Sequence, residues 1–264
     1  MSAVHPEQTL EKIRREIDDI DERLLDLLLQ RAEATARVRS TKSAAGTMRS
    51  SPFRPAREAQ MLRRLVARAG ERFDHEALVR LWRVILSASV QSQAAVSIHV
   101  DQSIVGDVEA RLLIASHFCG MDVVSHVDPA AAIQTLKERK LDLAVVRTES
   151  AWVESLDIEG DDRPAIIGAL PALADATSSN LLVIGYVASQ PSGDDHTILL
   201  SNRSLPDGGL SPIAREVRIG NRIASLVPGF HLESDEAIFA INEANPDLDL
   251  RVAGHIPASL KVSP

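Results

Sequence analysis

Between Leu10 and Thr41 the chain carries neither Pro nor Gly, and apolar side chains recur at Ile13, Ile17, Ile20, Leu24 and Leu27, then at Ala34 and Val38. Steps of four and three residues trace one stripe of a long helix built to pack against other helices. Gly46, Ser50, Ser51, Pro52 and Pro55 break the pattern. A second helix is predicted over 57–69, stopped by Gly70. A third starts from an N-cap at Asp74 and carries Leu78, Leu81, Trp82, Ile85 and Leu86 to about Ala95. The first module is therefore all-α.

After Val96 the pattern changes. Short apolar or β-branched runs at 96–100, 121–127, 143–146, 181–187, 197–200 and 250–253 alternate with helical patterns at 107–118 and 130–139. That alternation predicts an α/β region. Pro191, Ser192, Gly193, Asp194 and Asp195 read as a linker. The expected organisation is multidomain: a helical domain at 1–98, an α/β domain at 99–195 and a smaller α+β segment at 196–264.

Composition narrows the function classes. The chain has 264 residues and a formal net charge of −8, yet residues 1–95 hold 17 Lys and Arg against 13 Asp and Glu, so the acidic excess lies in the second half. The basic residues of the first helix are interleaved with Glu and Asp, which suits a site for a small anion better than a nucleic-acid backbone. Aromatic residues make up 3%, too few for base-stacking platforms. The single Cys119 excludes an internal disulfide framework and a cysteine-rich zinc site, and no two of the eight His stand at metal-ligand spacing. No phosphate-cradling glycine loop is present. No stretch approaches eighteen apolar residues and the first eight lack a signal-like pattern, so no membrane association and a cytoplasmic address are expected.

The most informative position is Arg31, which falls on the apolar stripe four residues after Leu27 and three before Ala34. A guanidinium at a Leu position is costly to desolvate unless an anion meets it. Lys42 follows eleven residues later, close to three full turns, so both cations project from one face about 16 Å apart at the backbone. Arg14, seventeen residues before Arg31, lies on another face about 25 Å away along the axis. It can share a pocket with them only from a second subunit; otherwise it is a solvated surface residue.

With Arg57-Glu58, Ser89 and Gln93 these residues form a set that resembles the all-helical chorismate mutases. The run Ile-Asp-Asp-Ile-Asp-Glu-Arg-Leu-Leu-Asp-Leu-Leu at 17–28, the Arg-Glu pair opening the second helix and Ser-Val-Gln-Ser-Gln at 89–93 carry the likeness over residues 10–95. The resemblance implies an intertwined homodimer that rearranges chorismate to prephenate without a cofactor or metal. It implies that Arg31 and the partner subunit's Arg14 bind the two carboxylates. Lys42 and Gln93 would donate to the ether oxygen, Glu58 would accept from the ring hydroxyl, and Arg57 and Ser89 would complete the wall. Two departures stand out: the connection at 43–56 is longer than in compact members, and Arg54 stands where they carry an Asp.

The second half resembles a prephenate dehydratase domain with an appended ACT domain, on Leu-Asp-Leu-Ala-Val-Val-Arg-Thr-Glu-Ser at 141–150 and Leu-Leu-Val-Ile-Gly at 181–185. The dehydratase chemistry is missing from its places. Ser179-Asn180-Leu181 replaces that family's Thr-Arg-Phe, Glu149-Ser150-Ala151 its Glu-Asn-Ser, and 152–178 is too short for a second lobe. Gly208-Gly209-Leu210 and Glu233-Ser234-Asp235 are similar to fragments of an ACT amino-acid site, so an aromatic amino acid effector is a further expectation. Two alternatives remain open: a non-catalytic regulatory or amino-acid-binding protein, and a bifunctional enzyme retaining both activities.

Overall fold

The computed structural model describes residues 6–44, 51–156, 162–171, 180–206, 210 and 212–260. The chain forms two compact units, Met1–Met48 and Arg49–Pro264.

The first unit is built on one helix, α1 (Pro6–Ala44). Its predicted stripe is exposed: Ile13, Ile17, Ile20, Leu24 and Leu27 keep 46–60% of their surface. One rod cannot cover its own stripe, because burial needs a second surface.

The second unit opens with α2 (Pro55–Ala69) and α3 (His75–Gln93). Pro55 sits in the first turn of α2, where its missing N–H costs nothing, and Gly70 closes the helix at φ +53°. Asp74 caps α3 as predicted, accepting from the Ala77 N–H at 2.7 Å. Leu62 of α2 and Val79 of α3 are buried together with Leu260.

Among the described residues the remainder contains nine strands: β1 (Ser97–Asp101), β2 (Asp122–His126), β3 (Leu143–Arg147), β4 (Ala165–Leu170), β5 (Leu181–Gly185), β6 (Asp195–Ser201), β7 (Arg215–Ile219), β8 (Arg222–Pro228) and β9 (Arg251–Pro257). Among the described residues five α-helices lie between them: α4 (Gln102–Val105), α5 (Val108–His117), α6 (Pro129–Thr135), α7 (Val153–Leu156) and α8 (Glu236–Ala244). The strands form a single sheet in the order β2-β1-β3-β5-β4-β9-β6-β8-β7. β1 pairs in parallel with β2 and β3; β4 meets β9 in parallel; every other neighbouring pair is antiparallel.

The central strands are covered on both faces, which is why they read as continuous apolar runs. Leu143 and Val145 of β3 join a core with Phe53, Val90, Ile114 and Phe118. The alternate residues Ala144 and Val146 join one with Ile133, Leu136, Trp152 and Leu156.

Six expected strands and two expected α/β helices appear, while β4, β7, β8, α4, α7 and α8 lie outside the expected pattern. β7, Arg-Glu-Val-Arg-Ile, alternates like a surface strand and is specified by its ladder to β8. The expected linker at 191–195 is a packed turn. Asp195, which opens β6, accepts from the Ser192 N–H at 2.7 Å and the Ser192 hydroxyl at 2.6 Å. Arg63 of α2 donates into the same turn, to the carbonyls of Ser192 (2.9 Å) and Asp194 (2.7 Å) and, beyond it, to Ala258 (3.0 Å). Strands on both sides of residue 195 thus belong to one sheet.

The join between β4 and β9 rests on Gly254, which faces Ile166 with φ +151°. A Cβ there would lie 2.1 Å from the Ile166 carbonyl oxygen and 2.5 Å from its nitrogen, so only Gly permits this approach. Gly254→Ala is expected to lower unfolding stability by about 3 kcal/mol or more, as backbone clash and strained φ act together; urea denaturation followed by circular dichroism measures it.

Candidate active site

The residues singled out from the sequence divide between the two units. Arg14, Arg31 and Lys42 belong to the first; Arg57, Glu58, Ser89 and Gln93 belong to the second.

In the first unit α1 is unbroken from 31 to 42, so the three-turn relation between Arg31 and Lys42 holds in the backbone. Arg31 is half-buried, less enclosed than its stripe position predicts, and its carbonyl accepts from the Thr35 hydroxyl at 3.0 Å. The side chain of Lys42 lies outside the described residues. Arg14 is exposed, 3.9 Å from Glu11, an ion pair that contributes little in water.

In the second unit the connection between the first two helices ends in a braced turn. Ser51 is fully buried and donates to the Leu141 carbonyl at 3.1 Å, and the Phe53 ring packs 5.6 Å from that of Phe118. Arg54 bends back to donate to the carbonyls of Ser51 (2.6 Å) and Phe53 (2.7 Å), so here it holds the turn that starts α2. Arg57, next on the helix, is exposed.

Glu58 is the opposite case. It is 7% exposed, and its Oε2 accepts from Arg83 Nη1 at 3.0 Å. Arg83, on α3, is nearly as enclosed, with 11% of its side chain accessible. Burial pulls the Arg83 guanidinium below its ordinary range, and the charge and hydrogen bond of Glu58 oppose that pull. The pair stands in the wall of a small open cleft, with room for about 50 Å3 of water-sized occupancy, together with Phe53, Leu62, His117 and Ile167. His117 is held neutral well below its usual range, first by desolvation and then by the Arg83 charge.

Ser89 and Gln93 share a face of α3 as their spacing requires. Both turn to the helix backbone: the Ser89 hydroxyl donates to the Ile85 carbonyl at 2.8 Å, and Gln93 Nε2 to the Ser89 carbonyl at 3.0 Å.

Arg83 was overlooked in the sequence, although it carries the same signal as Arg31. It occupies the buried stripe of α3 between Val79 and Ser87, where an apolar residue would be expected.

A second cluster that sequence spacing hides sits under the edge of the sheet. His99 Nε2 lies 3.0 Å from Asp142 Oδ2 and His99 Nδ1 lies 2.8 Å from His126 Nε2, with Arg139 paired to the same carboxylate. Burial pushes the Asp142 carboxyl up, but hydrogen bonds from Arg139, His99 and the Ser97 N–H outweigh it and hold the group below the usual carboxylate range. Among the described residues no group of three His, Cys, Asp or Glu is placed to hold a metal ion.

The positions where dehydratase chemistry would stand are occupied by structural contacts. Exposed Glu149 lies 3.4 Å from Arg215, the Ser150 hydroxyl donates to the Arg147 carbonyl at 2.8 Å, and Arg147 pairs with Asp107 at 2.6 Å. The Asn180 carbonyl accepts from the Thr148 N–H at 2.9 Å; Ser179 lies outside the described residues. Of the amino-acid-site fragments, Gly208 and Gly209 also lie outside them. Glu233 pairs with Arg163 and accepts from the Val252 N–H at 3.2 Å, bracing β9.

These helices define a class. Residues 13–94 match the family model for chorismate mutase type II, and this stretch is a chorismate mutase type II domain. It takes α1 from the first unit and α2 and α3 from the second. Over 81 residues the chain is 35% identical to a bifunctional chorismate mutase/prephenate dehydratase of Stutzerimonas stutzeri, a match covering 30% of this chain and 22% of that protein. The chain thus spans about a fifth of the length of the curated relative it matches. Two solved structures are similar over 62% of the chain. One is described as GqqA, a novel type of quorum quenching acylases (TM-score 0.42, 14% identity, 96% of that chain covered). The other is a prephenate dehydratase from Streptococcus mutans (TM-score 0.39, 10% identity, 100% covered). Both scores lie below the level that establishes a common fold.

Because His117 is held neutral in the folded protein, the unfolded chain binds the extra proton first as pH falls. Stability is therefore expected to decline as pH drops below about 6.5, the ordinary value for an unfolded His. His117→Asn should flatten that part of the profile, as read by urea denaturation midpoints between pH 7.5 and 5.

Proposed function

We propose that the protein is a chorismate mutase that rearranges chorismate to prephenate as a homodimer in the cytoplasm, without metal or cofactor. The observation that carries this reading is the chorismate mutase type II domain at 13–94, which contains Arg14, Arg31, Lys42, Arg57, Glu58, Ser89 and Gln93 together.

The chemistry asks for little beyond placement and charge. The substrate is a dicarboxylate whose ether C–O bond breaks as a C–C bond forms within the same molecule, leaving partial negative charge on the ether oxygen. Arg31 and the partner subunit's Arg14 bind the carboxylates and hold the side chain folded over the ring, which removes most of the orientational cost. Lys42 and Gln93 donate to the ether oxygen as its charge grows, an interaction stronger in the transition state than in the ground state. For that, Gln93 must exchange its helix carbonyl for the substrate. Glu58 accepts from the ring hydroxyl, and Arg57 and Ser89 close the wall.

The dimer is supported by the exposed stripe of α1, since covering each Leu or Ile contributes about 1.5–3 kcal/mol. A second α1 supplies a matching stripe, and it brings Arg14 from one protomer to a site whose other cations come from its partner. Beyond residue 98 the α/β region acts as a dehydratase-like and ACT-like tail without dehydratase chemistry of its own, and an aromatic amino acid is its candidate effector. Among the described residues no helix is long and apolar enough to cross a membrane.

Arg31→Ala and Lys42→Ala are each expected to reduce kcat/KM for chorismate by about 10²-fold or more while the protein stays folded and dimeric. Loss of chorismate absorbance, with light scattering for mass, checks both; normal turnover in either variant would overturn the site. Fed prephenate, the full-length protein should release no phenylpyruvate. Calorimetry with phenylalanine tests the effector, and heat in a protein without mutase activity would favour a purely regulatory role.

A further inference from the structure

A mutase site needs the carboxylate that accepts the substrate's ring hydroxyl to be ionised, to face one direction and to stay there. A Glu on a helix surface meets none of these conditions without help, because its three rotatable bonds are free and water competes for both oxygens. Glu58 is 7% exposed, and burial at that level requires a counter-charge. The counter-charge comes from Arg83, twenty-five residues away on the neighbouring helix.

The contact is a single one. Arg83 Nη1 donates to Oε2 at 3.0 Å, which differs from the two-pronged bond an Arg commonly makes to a carboxylate. A single contact anchors Oε2 and leaves Oε1 outside the pair. Arg83 Nε is buried and has no hydrogen-bond partner. A free guanidinium would turn to satisfy that group; this one is held by its packing with the carboxylate and by the walls of the cleft, where Leu62 and His117 stand beside it. His117, neutral and adjacent, brings no competing cation. Nothing in the sequence resemblance assigned Arg83 a part.

We propose that Arg83 is a positioning residue for the rearrangement: it orients the Glu58 carboxylate so that the oxygen it leaves unbound accepts from the ring hydroxyl of the substrate. This rests on the mutase reading above. Arg83 does not touch the substrate and acts only through Glu58. Its effect is therefore confined to substrates that carry the hydroxyl.

The test compares chorismate with its ring-deoxy analogue, which lacks that hydroxyl, using full-length wild type, Arg83→Met, Arg83→Lys and Glu58→Gln, with circular dichroism as the check on folding. Arg83→Met should lower kcat on chorismate by about 10- to 100-fold with KM changed less than about threefold, the scale of a misplaced catalytic group. The same variant should stay within about threefold of wild type on the deoxy analogue. Arg83→Lys, which retains the charge, should recover most of the chorismate rate. Adding Arg83→Met to Glu58→Gln should cause no further loss, since the two act as a unit. Equal losses on both substrates would show a purely structural role and overturn the proposal, as would an unchanged chorismate rate in folded Arg83→Met or multiplicative losses in the double variant. Should Arg83→Met fail to fold, Arg83→Gln decides: a drop biased toward chorismate supports the role, and an unbiased drop or none overturns it. Wild type inactive on both substrates overturns the mutase reading and this role with it, whereas active wild type with unbiased variants overturns this role alone.

Discussion

A carboxylate buried between two helices and a sheet must be met by a cation, and the meeting of Glu58 with Arg83 organises this part of the molecule. Breaking such a pair leaves an uncompensated charge in a site that water cannot fully reach, at a cost of about 3–5 kcal/mol. The pair fixes the facing sides of α2 and α3 while leaving open space beside the carboxylate. Packing and chemistry therefore make the same demand on these two positions. The neighbouring His117, kept uncharged, allows one positive and one negative group to balance without a third.

Around this pair the α/β region behaves as one body because its sheet is unbroken. The parallel strands β1, β2 and β3 at one end and the antiparallel strands β6, β7, β8 and β9 at the other meet through β4 and β5. The join depends on a residue with no side chain at Gly254, since any Cβ would collide with the Ile166 backbone. Arg63 adds a polar tie between α2 and the turn at 192–195, donating to the Ser192 carbonyl and to the Asp194 carbonyl, which also accepts from the Ala258 N–H. Through that tie the second mutase helix is anchored on the same framework that carries the tail.

The clusters that spacing conceals arise from the same topology. His99 and His126 lie 27 residues apart, and Asp142 lies 43 from His99, yet β1 runs beside both β2 and β3. Glu149, Ser150 and Arg147 are likewise spent on contacts between neighbouring elements.

The long first helix, the end of the second, the cap of the third and the central strands were all written locally. Each depends on neighbours within a few positions: the period of apolar residues, Pro55 and Gly70 at helix ends, Asp74 before a turn that needs an acceptor. Arg31 and Arg83 are marked in the same way, as cations on apolar stripes. What the sequence could not determine was anything set by distant partners. The insertion of β4 between β5 and β9, the pairing of β7 with β8, the burial of Asp195 in a stretch composed like a linker and the choice of Arg83 as the mate of Glu58 all join segments far apart in the chain. Those outcomes belong to tertiary structure, because hydrogen-bond ladders and buried charges are satisfied by whichever group folding brings within about 3 Å, and linear order does not encode that distance.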